Sequence, residues 1–160
     1  MLEDILVQSS PIYPLWALIM LILSLLLVDR KSYKYLLPHG ILGAIITGVI
    51  LLIFSDLINA WEYIEAEPYI MLGIPVFIGI AWFATIIIFL WALPREESHW
   101  ISYLYIALYA FLGAGLDNFF HNLGLRLYAD WYGAWIWFFV LYFNFWINYK
   151  IYLFRKNKKL

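Results

Sequence analysis

Five stretches of this chain are long and apolar enough to cross a lipid bilayer as helices, and together they occupy most of its 160 residues. A membrane-spanning helix needs about 20 mostly apolar residues, because hydrocarbon offers no partner to an open backbone hydrogen-bonding group. The stretches cover roughly residues 11–28, 36–54, 69–93, 100–125 and 134–154. They predict an all-α fold: a polytopic transmembrane helix bundle with five spans, forming a single transmembrane domain over residues 1–160.

The composition supports a membrane protein and excludes several functions. Hydrophobic residues make up 66% of the chain and charged residues only 13%, about half the share that is usual in soluble domains. So few charged side chains would not cover the surface of a small soluble domain. A formal net charge of −1 without a long basic run argues against nucleic acid as a partner. The absence of cysteine excludes disulfides, thiolate metal ligands and thiol nucleophiles.

The basic residues are unevenly distributed over the segments that connect the five stretches. Nine of the ten follow the first or the third stretch or lie at the C-terminal end of the chain: Arg30, Lys31, Lys34, Arg95, Lys150, Arg155, Lys156, Lys158 and Lys159. The other side receives only Arg126, together with the acidic segment 55–68. Because cytoplasmic loops retain Lys and Arg, the pattern predicts an external N-terminus and a cytoplasmic C-terminus. The amphipathic character of segment 55–68 predicts a short helix on the outer surface.

Small residues predict where the helices approach one another closely. Gly40, Ala44 and Gly48 recur at four-residue spacing in the second stretch, and Ala110 and Ala114 do so in the fourth. Helices in lipid associate through small residues and interhelical hydrogen bonds rather than through the hydrophobic effect. These two faces are therefore the expected close helix contacts.

Polar residues follow the apolar part of the fourth stretch at helical spacing. Asp117 and His121 are four residues apart, as are Asn118 and Asn122, and Arg126 lies four residues beyond Asn122. On a helix they occupy one wedge of the surface. At about 1.5 Å per residue, Asp117 lies about 24 Å along this stretch, inside the outer edge of a hydrocarbon core about 30 Å thick. An ionisable residue at that depth usually faces a cavity or a partner.

The wedge predicts a polar pocket that opens to the outer leaflet. Asp117 and His121 are the candidate catalytic residues, with Asp117 orienting the imidazole of His121 as a proton acceptor. The candidate ligand-binding residues are Asn118, Asn122, Arg126, Glu62, Glu65 and Asn144. The structural alternative is an interfacial helix end whose polar groups bond to neighbours and water. A metal site would need a third ligand beside Asp117 and His121, for which only Glu62, Glu65 and Glu67 of the outer segment are candidates, so no metal is predicted. No cofactor is predicted either.

Asn144 is the polar residue nearest the middle of the fifth stretch, and Asn148 follows one turn later. An asparagine inside a membrane needs a hydrogen-bond partner, and its usual role is to hold two helices together. A transport path or an oligomer contact is the alternative role.

The region from the fourth stretch to the end carries a family resemblance. It reads EExxW, then GLDNFFHNLGLRLYADWYGAWIWFFVLYF: an acidic residue four before a histidine, an L-G-L-x-x-Y-x-x-W pattern, and an aromatic span that ends in basic residues. This region, mainly Gly115 to Lys156, resembles a family of small uncharacterised integral membrane proteins of spore-forming, Firmicutes-type bacteria. The resemblance implies a helical bundle in the bacterial plasma membrane, with several passes, and implies no mechanism.

Two classes of function remain open. The first is a binding, subunit or permeation role for a lipid, a small molecule or a partner helix, with membrane lipids, a second copy or a partner membrane protein as partners. The second is an intramembrane enzyme that acts on a lipid-borne or isoprenoid-like substrate with Asp117 and His121 as an acid–base pair. Both use the same wedge, so the sequence does not separate them.

Overall fold

A computed structural model describes residues 11–64, 66, 69–94 and 99–157 of the chain, and helices hold most of these residues. The helices are α1 (Ile12–Leu27), α2 (Arg30–Leu52), α3 (Val76–Trp91), α4 (His99–Asn122) and α5 (Ala134–Asn157). A π-helical turn, Ile53–Leu57, continues α2. The predicted all-α class is confirmed.

Short strands cover one end of the helices, which we call the strand-capped end. Strand β1 (Trp61–Tyr63) pairs antiparallel with β4 (Arg126–Tyr128), and β2 (Ile70–Met71) pairs with β3 (Ile74–Pro75) in a hairpin. Strand β1 corrects the predicted surface helix over 55–68. Its side chains alternate between buried and exposed with a period of two, which is typical of a strand that covers a core.

The second helix begins earlier than its apolar stretch, at Arg30 rather than near residue 36. The side chain of Asp29 accepts hydrogen bonds from the backbone N–H groups of Lys31 and Ser32, at 3.1 and 2.9 Å. This N-cap satisfies donors at the start of the helix, so polar residues form its first turns. Pro38, expected near the start, lies inside the helix.

The fourth helix ends at Asn122, three residues before the predicted boundary. Gly124 has a φ of +76°, a conformation that favours glycine. Its N–H donates to the carbonyl of His121, and the N–H of Leu125 donates to the carbonyl of Phe120. These two bonds form a Schellman motif, which ends the helix and directs the chain into β4.

The third predicted stretch is divided between two kinds of structure. Residues 69–75 contain the β2–β3 hairpin, and only Val76–Trp91 is helical. Within the described ranges, two helical segments are long and apolar enough to cross a membrane: Arg30–Leu57, with 28 residues, and Trp100–Asn122, with 23. Helices α1 and α3 are apolar but have 16 residues each.

Helix α3 lies between α1 and α2, and α4 packs along α5. Six of the most deeply buried apolar side chains come from α3, α4 and α5: Ile86, Ile87, Phe89, Ile106, Leu141 and Phe145. Ala110 and Ala114 are buried on α4, as the small-residue pattern predicts.

The close face of α2 differs from the predicted seam of Gly40, Ala44 and Gly48. A Cβ atom at Gly43 would lie 2.6 Å from Oδ1 of Asn148 and 2.7 Å from Ile86, and one at Gly40 would lie 2.7 Å from Ile87. A Cβ at Gly48 would meet nothing within 4 Å. The prediction is therefore wrong at Gly48. The residues of α2 that lie close to other helices recur in steps of three and four, so Gly43 is on the close face and Gly48 is not.

Asn144 holds α5 against α2. Its Nδ2 donates to Oγ1 of Thr47 at 2.9 Å, and that hydroxyl donates to the carbonyl of Gly43 at 2.9 Å. Nδ2 of Asn148 donates to Oδ1 of Asn144 at 3.2 Å. The role predicted for Asn144 as a link between helices is confirmed.

Replacing Thr47 with valine should lower the free energy of unfolding by about 0.6–2 kcal/mol, because Nδ2 of Asn144 loses its acceptor inside the bundle. Reversible unfolding in mixed micelles measures the change. Thr85→Val is the matched control, since among the described residues the Thr85 hydroxyl bonds only to the carbonyl of Ala81 in its own helix. Equal losses in the two variants would mean that the link between α2 and α5 contributes nothing.

Candidate functional site

The paired strands β1 and β4 bring four polar or aromatic side chains over the end of α4. The register places Tyr63 opposite Arg126 and Trp61 opposite Tyr128. Successive residues of a strand point to opposite faces, so these four side chains share the inner face. Leu127, between them on β4, is exposed.

Arg126 and Asp117 form a buried ion pair at the centre of this site. Each residue is only 4% exposed. The Tyr128 hydroxyl donates to Oδ2 of Asp117 at 2.6 Å, and a guanidinium nitrogen of Arg126 donates to the Tyr63 hydroxyl at 3.0 Å. The guanidinium carbon also lies 4.9 Å from the ring centre of Trp61 and 4.7 Å from that of Tyr63. Cation–π attraction therefore adds to the ion pair.

One donor of the pair has no partner within the described part of the chain. Nε of Arg126 is buried and makes no hydrogen bond there. The indole nitrogen of Trp61 and the hydroxyl of Tyr132 are also buried without a partner among the described residues. Unpaired donors at such depth are costly and uncommon. The site therefore holds hydrogen-bonding capacity that the described residues do not use.

His121 contacts the ion pair through Tyr128. The two rings stack with centres 4.0 Å apart, and Nδ1 of His121 donates to the backbone carbonyl of Arg126 at 2.8 Å. The carboxylate of Asp117 is directed to Arg126 and Tyr128, and not to the imidazole of His121 as the four-residue spacing predicts. Burial raises the pKa of the Tyr128 phenol, against a smaller lowering by Arg126, so this side chain remains a donor at physiological pH.

The other predicted site residues lie apart from the ion pair. Asn118 and Asn122 are exposed on α4, and Asn144 lies between α2 and α5. Glu62 is exposed and lines a polar depression together with Asp56 and Asn59. Glu65 lies outside the described residues. No group of three or more His, Asp or Glu side chains in the described ranges could hold a metal ion.

The partners of Arg126 on β1 were not found by sequence reasoning. Trp61 and Tyr63 precede Arg126 by more than 60 residues, and only strand pairing brings them to it. The available signal was the alternation in Trp61-Glu62-Tyr63 and Arg126-Leu127-Tyr128, which has the period of a strand.

An apolar cleft with a volume of about 390 Å³ runs from the ion pair along the helices. Asp117 and Arg126 line it together with apolar and aromatic side chains of α1, α3 and α4, among them Trp16, Met20, Leu23, Leu27, Ile78, Trp82, Ile88, Tyr109, Leu112 and Leu116. The cleft extends along α1 from Trp16 to Leu27, a length of about 16 Å at a helical rise of about 1.5 Å per residue.

Helix α1 meets the rest of the site at the strand-capped end. The Tyr13 hydroxyl lies 2.7 Å from the carbonyl oxygen of Leu125 and 3.0 Å from that of Ile64, and shares its proton between them. Trp16 packs edge-on against Phe120 of α4, with ring centres 6.0 Å apart. Because α1 otherwise packs on α3 while α4 packs on α5, the cleft lies between α1 and α4.

The cleft and the ion pair together form a site with apolar walls and one charged end. A molecule with a long apolar chain and one polar group matches this arrangement.

Comparisons of the protein sequence with protein-family models, with curated proteins and with solved structures find no match.

Proposed function

We propose that the protein is a polytopic membrane protein that binds a long-chain membrane amphiphile in the cleft between α1, α3 and α4. The polar group of the ligand would lie at the Asp117–Arg126 pair and its chain along the apolar walls. The observation that carries this proposal is the buried ion pair at one end of an otherwise apolar cleft.

Surface composition supports a location within a bilayer. Large apolar side chains are exposed on α1, α2, α4 and α5, with Leu26 at 76%, Phe111 at 68% and Phe139 at 63%. Contiguous apolar surface of this kind is rare on proteins in water. Helices α1 and α3 are about 24 Å long at 1.5 Å per residue, so a five-span bundle requires local bilayer thinning.

The distribution of Lys and Arg supports an orientation with the strand-capped end outside. The five-span bundle in the bacterial plasma membrane then has an external N-terminus and a cytoplasmic C-terminus. A reporter active only in the cytoplasm should be active when fused after Leu160, and one active only outside should be active when inserted at Glu65. Inactivity of both fusions, with the opposite reporters active, would reverse the proposed orientation.

The geometry favours binding over acid–base chemistry. A carboxylate that already pairs with a guanidinium and accepts from a phenol is poorly placed to exchange a proton with substrate. His121 is directed to a backbone carbonyl and to the Tyr128 ring. An enzyme acting on a lipid-borne substrate therefore stays an alternative hypothesis that these contacts do not strengthen.

The size and opening of the cleft suit one chain of a lipid. The volume of about 390 Å³ lies within the usual range of about 300–1,000 Å³ for ligand pockets. A cleft of this size with apolar walls suits an apolar chain. An opening between α1 and α4 would let the chain enter from the bilayer.

Filling the cleft should remove the bound lipid. Leu23 and Leu112 line the cleft and are exposed, so Leu23→Trp and Leu112→Trp add volume to the cleft without overpacking the core. Leu26→Trp and Leu108→Trp are matched controls, because these residues are also exposed on the same two helices but do not line the cleft. We expect native mass spectrometry to detect one retained lipid on the wild type and the controls, and little on the cleft variants. A lipid adduct that the cleft variants retain, or none on the wild type, would contradict the proposal.

A further inference from the structure

We infer that the ligand of the cleft carries an uncharged hydroxyl head group, so that it is a long-chain alcohol rather than an ionic lipid. This inference rests on the proposed function, because it concerns what lies at the polar end of the same cleft. Two observations carry it: the balanced, buried charges of the site and its unused hydrogen-bonding groups.

The charges at the polar end already balance. Asp117 and Arg126 pair with each other and are nearly inaccessible to solvent. An ionic head group would bring a third, uncompensated charge into a region of low dielectric, where desolvation costs several kcal/mol per ion. A phosphate would also face the Asp117 carboxylate, and an ammonium group would face Arg126. An uncharged head group avoids both penalties.

The unused hydrogen-bonding capacity matches a hydroxyl group. Nε of Arg126 is a buried donor without a partner in the described part of the chain. A carboxylate has about four lone-pair positions, and Asp117 uses one for Arg126 and one for Tyr128. A hydroxyl can accept from Nε of Arg126 and donate to the Asp117 carboxylate at the same time. A ketone or ester oxygen would satisfy only the donor.

The alcohol can have either a straight chain or an isoprenoid chain. Both kinds bring the same hydroxyl group and an apolar tail. Leu23, Leu112 and the aromatic rings Trp82 and Tyr109 offer apolar walls to either. The two sources are therefore separated by competition.

The test is competition for labelling of the purified full-length protein by a hexadecanol probe that carries a diazirine in its chain. Unlabelled hexadecanol or farnesol should displace the probe at concentrations at least about tenfold lower than hexadecyl sulfate or hexadecyltrimethylammonium, as expected for one buried hydrogen bond to a charged group. Displacement by hexadecanol alone identifies a straight chain, and displacement by farnesol alone an isoprenoid.

The outcomes separate the inference from the proposed function. Equal displacement by the alcohols and the ionic competitors, with labelling still lost in Leu112→Trp, would overturn the hydroxyl head group and leave the cleft proposal standing. Labelling that Leu112→Trp does not reduce would overturn the proposed function itself. Arg126→Lys keeps the positive charge but removes Nε, and should reduce the preference for alcohols by the share that the hydrogen bond to Nε contributes, about tenfold. An unreduced preference in a folded Arg126→Lys protein would also overturn the inference.

Discussion

Replacing Arg126 with methionine should destabilise the protein by about 3–5 kcal/mol, because the carboxylate of Asp117 would remain buried without its counter-charge. Both partners are only 4% exposed, so water does not replace the lost contact. Unfolding by denaturant in mixed micelles measures the free energy. Lys34→Met, which removes an exposed cation on α2, is the control and should change the stability little.

The double variant Asp117→Leu/Arg126→Met should be less destabilised than Arg126→Met alone. Removal of both charges eliminates the unpaired ion, and the remaining cost comes from the hydroxyls of Tyr63 and Tyr128, which lose their partners. Losses that simply add in the double variant would show that the two residues act independently. The ion pair would then have no place in the site.

Replacing Gly43 with leucine should lower the free energy of unfolding by about 1–3 kcal/mol or more, the usual cost of overpacking. Even a Cβ atom at this position would lie 2.6 Å from Oδ1 of Asn148 and 2.7 Å from Ile86. Leucine would therefore separate α2 from both α3 and α5, and break the link through Asn144. Thermal unfolding in detergent should show a clear decrease in Tm.

Gly48→Leu in the same helix is the matched control for this prediction. A Cβ atom at Gly48 has nothing within 4 Å, and leucine is a better helix former than glycine. We expect the Tm of this variant to equal or slightly exceed that of the wild type. If Gly48→Leu were the more damaging of the two, α2 would pack through the regular four-residue seam instead.

Hydrophobic patterning predicted a helix correctly where nearly the whole apolar stretch is helical. Helices α1, α4 and α5 begin or end within a few residues of the predicted boundaries. The start of α2 was missed because a side-chain cap at Asp29 allows charged residues to form its first turns. The β2–β3 hairpin was missed because Ile70, Met71 and Ile74 are as apolar as the helix that follows. Composition alone does not distinguish a short apolar strand from a helical turn.

The sequence also contained part of the site. Asp117 was singled out from its charge and depth and Arg126 from its helical spacing after Asn122, and the structure pairs them with each other. The expected partner of Asp117 was His121, since residues four apart on a helix are neighbours. Gly124 ends the helix just after His121, and β4 brings Arg126 and Tyr128 back over Asp117. A pairing created by a chain reversal has no local periodicity, which is why sequence spacing did not reveal it.

The position of a bound chain within the protein tests the proposed cleft most directly. The experiment uses two probes, one with a hydroxyl head and one with a phosphocholine head. Each has a 16-carbon chain with a diazirine at its middle and is photoactivated in nanodiscs that contain the protein. Peptide mass spectrometry should locate the adducts of at least one probe on the cleft-facing residues of α1 and α4, between Trp16 and Leu27 and between Tyr109 and Phe120. Adducts spread evenly over the exposed faces of the helices, including Phe139 and Phe143 of α5, would contradict a binding cleft.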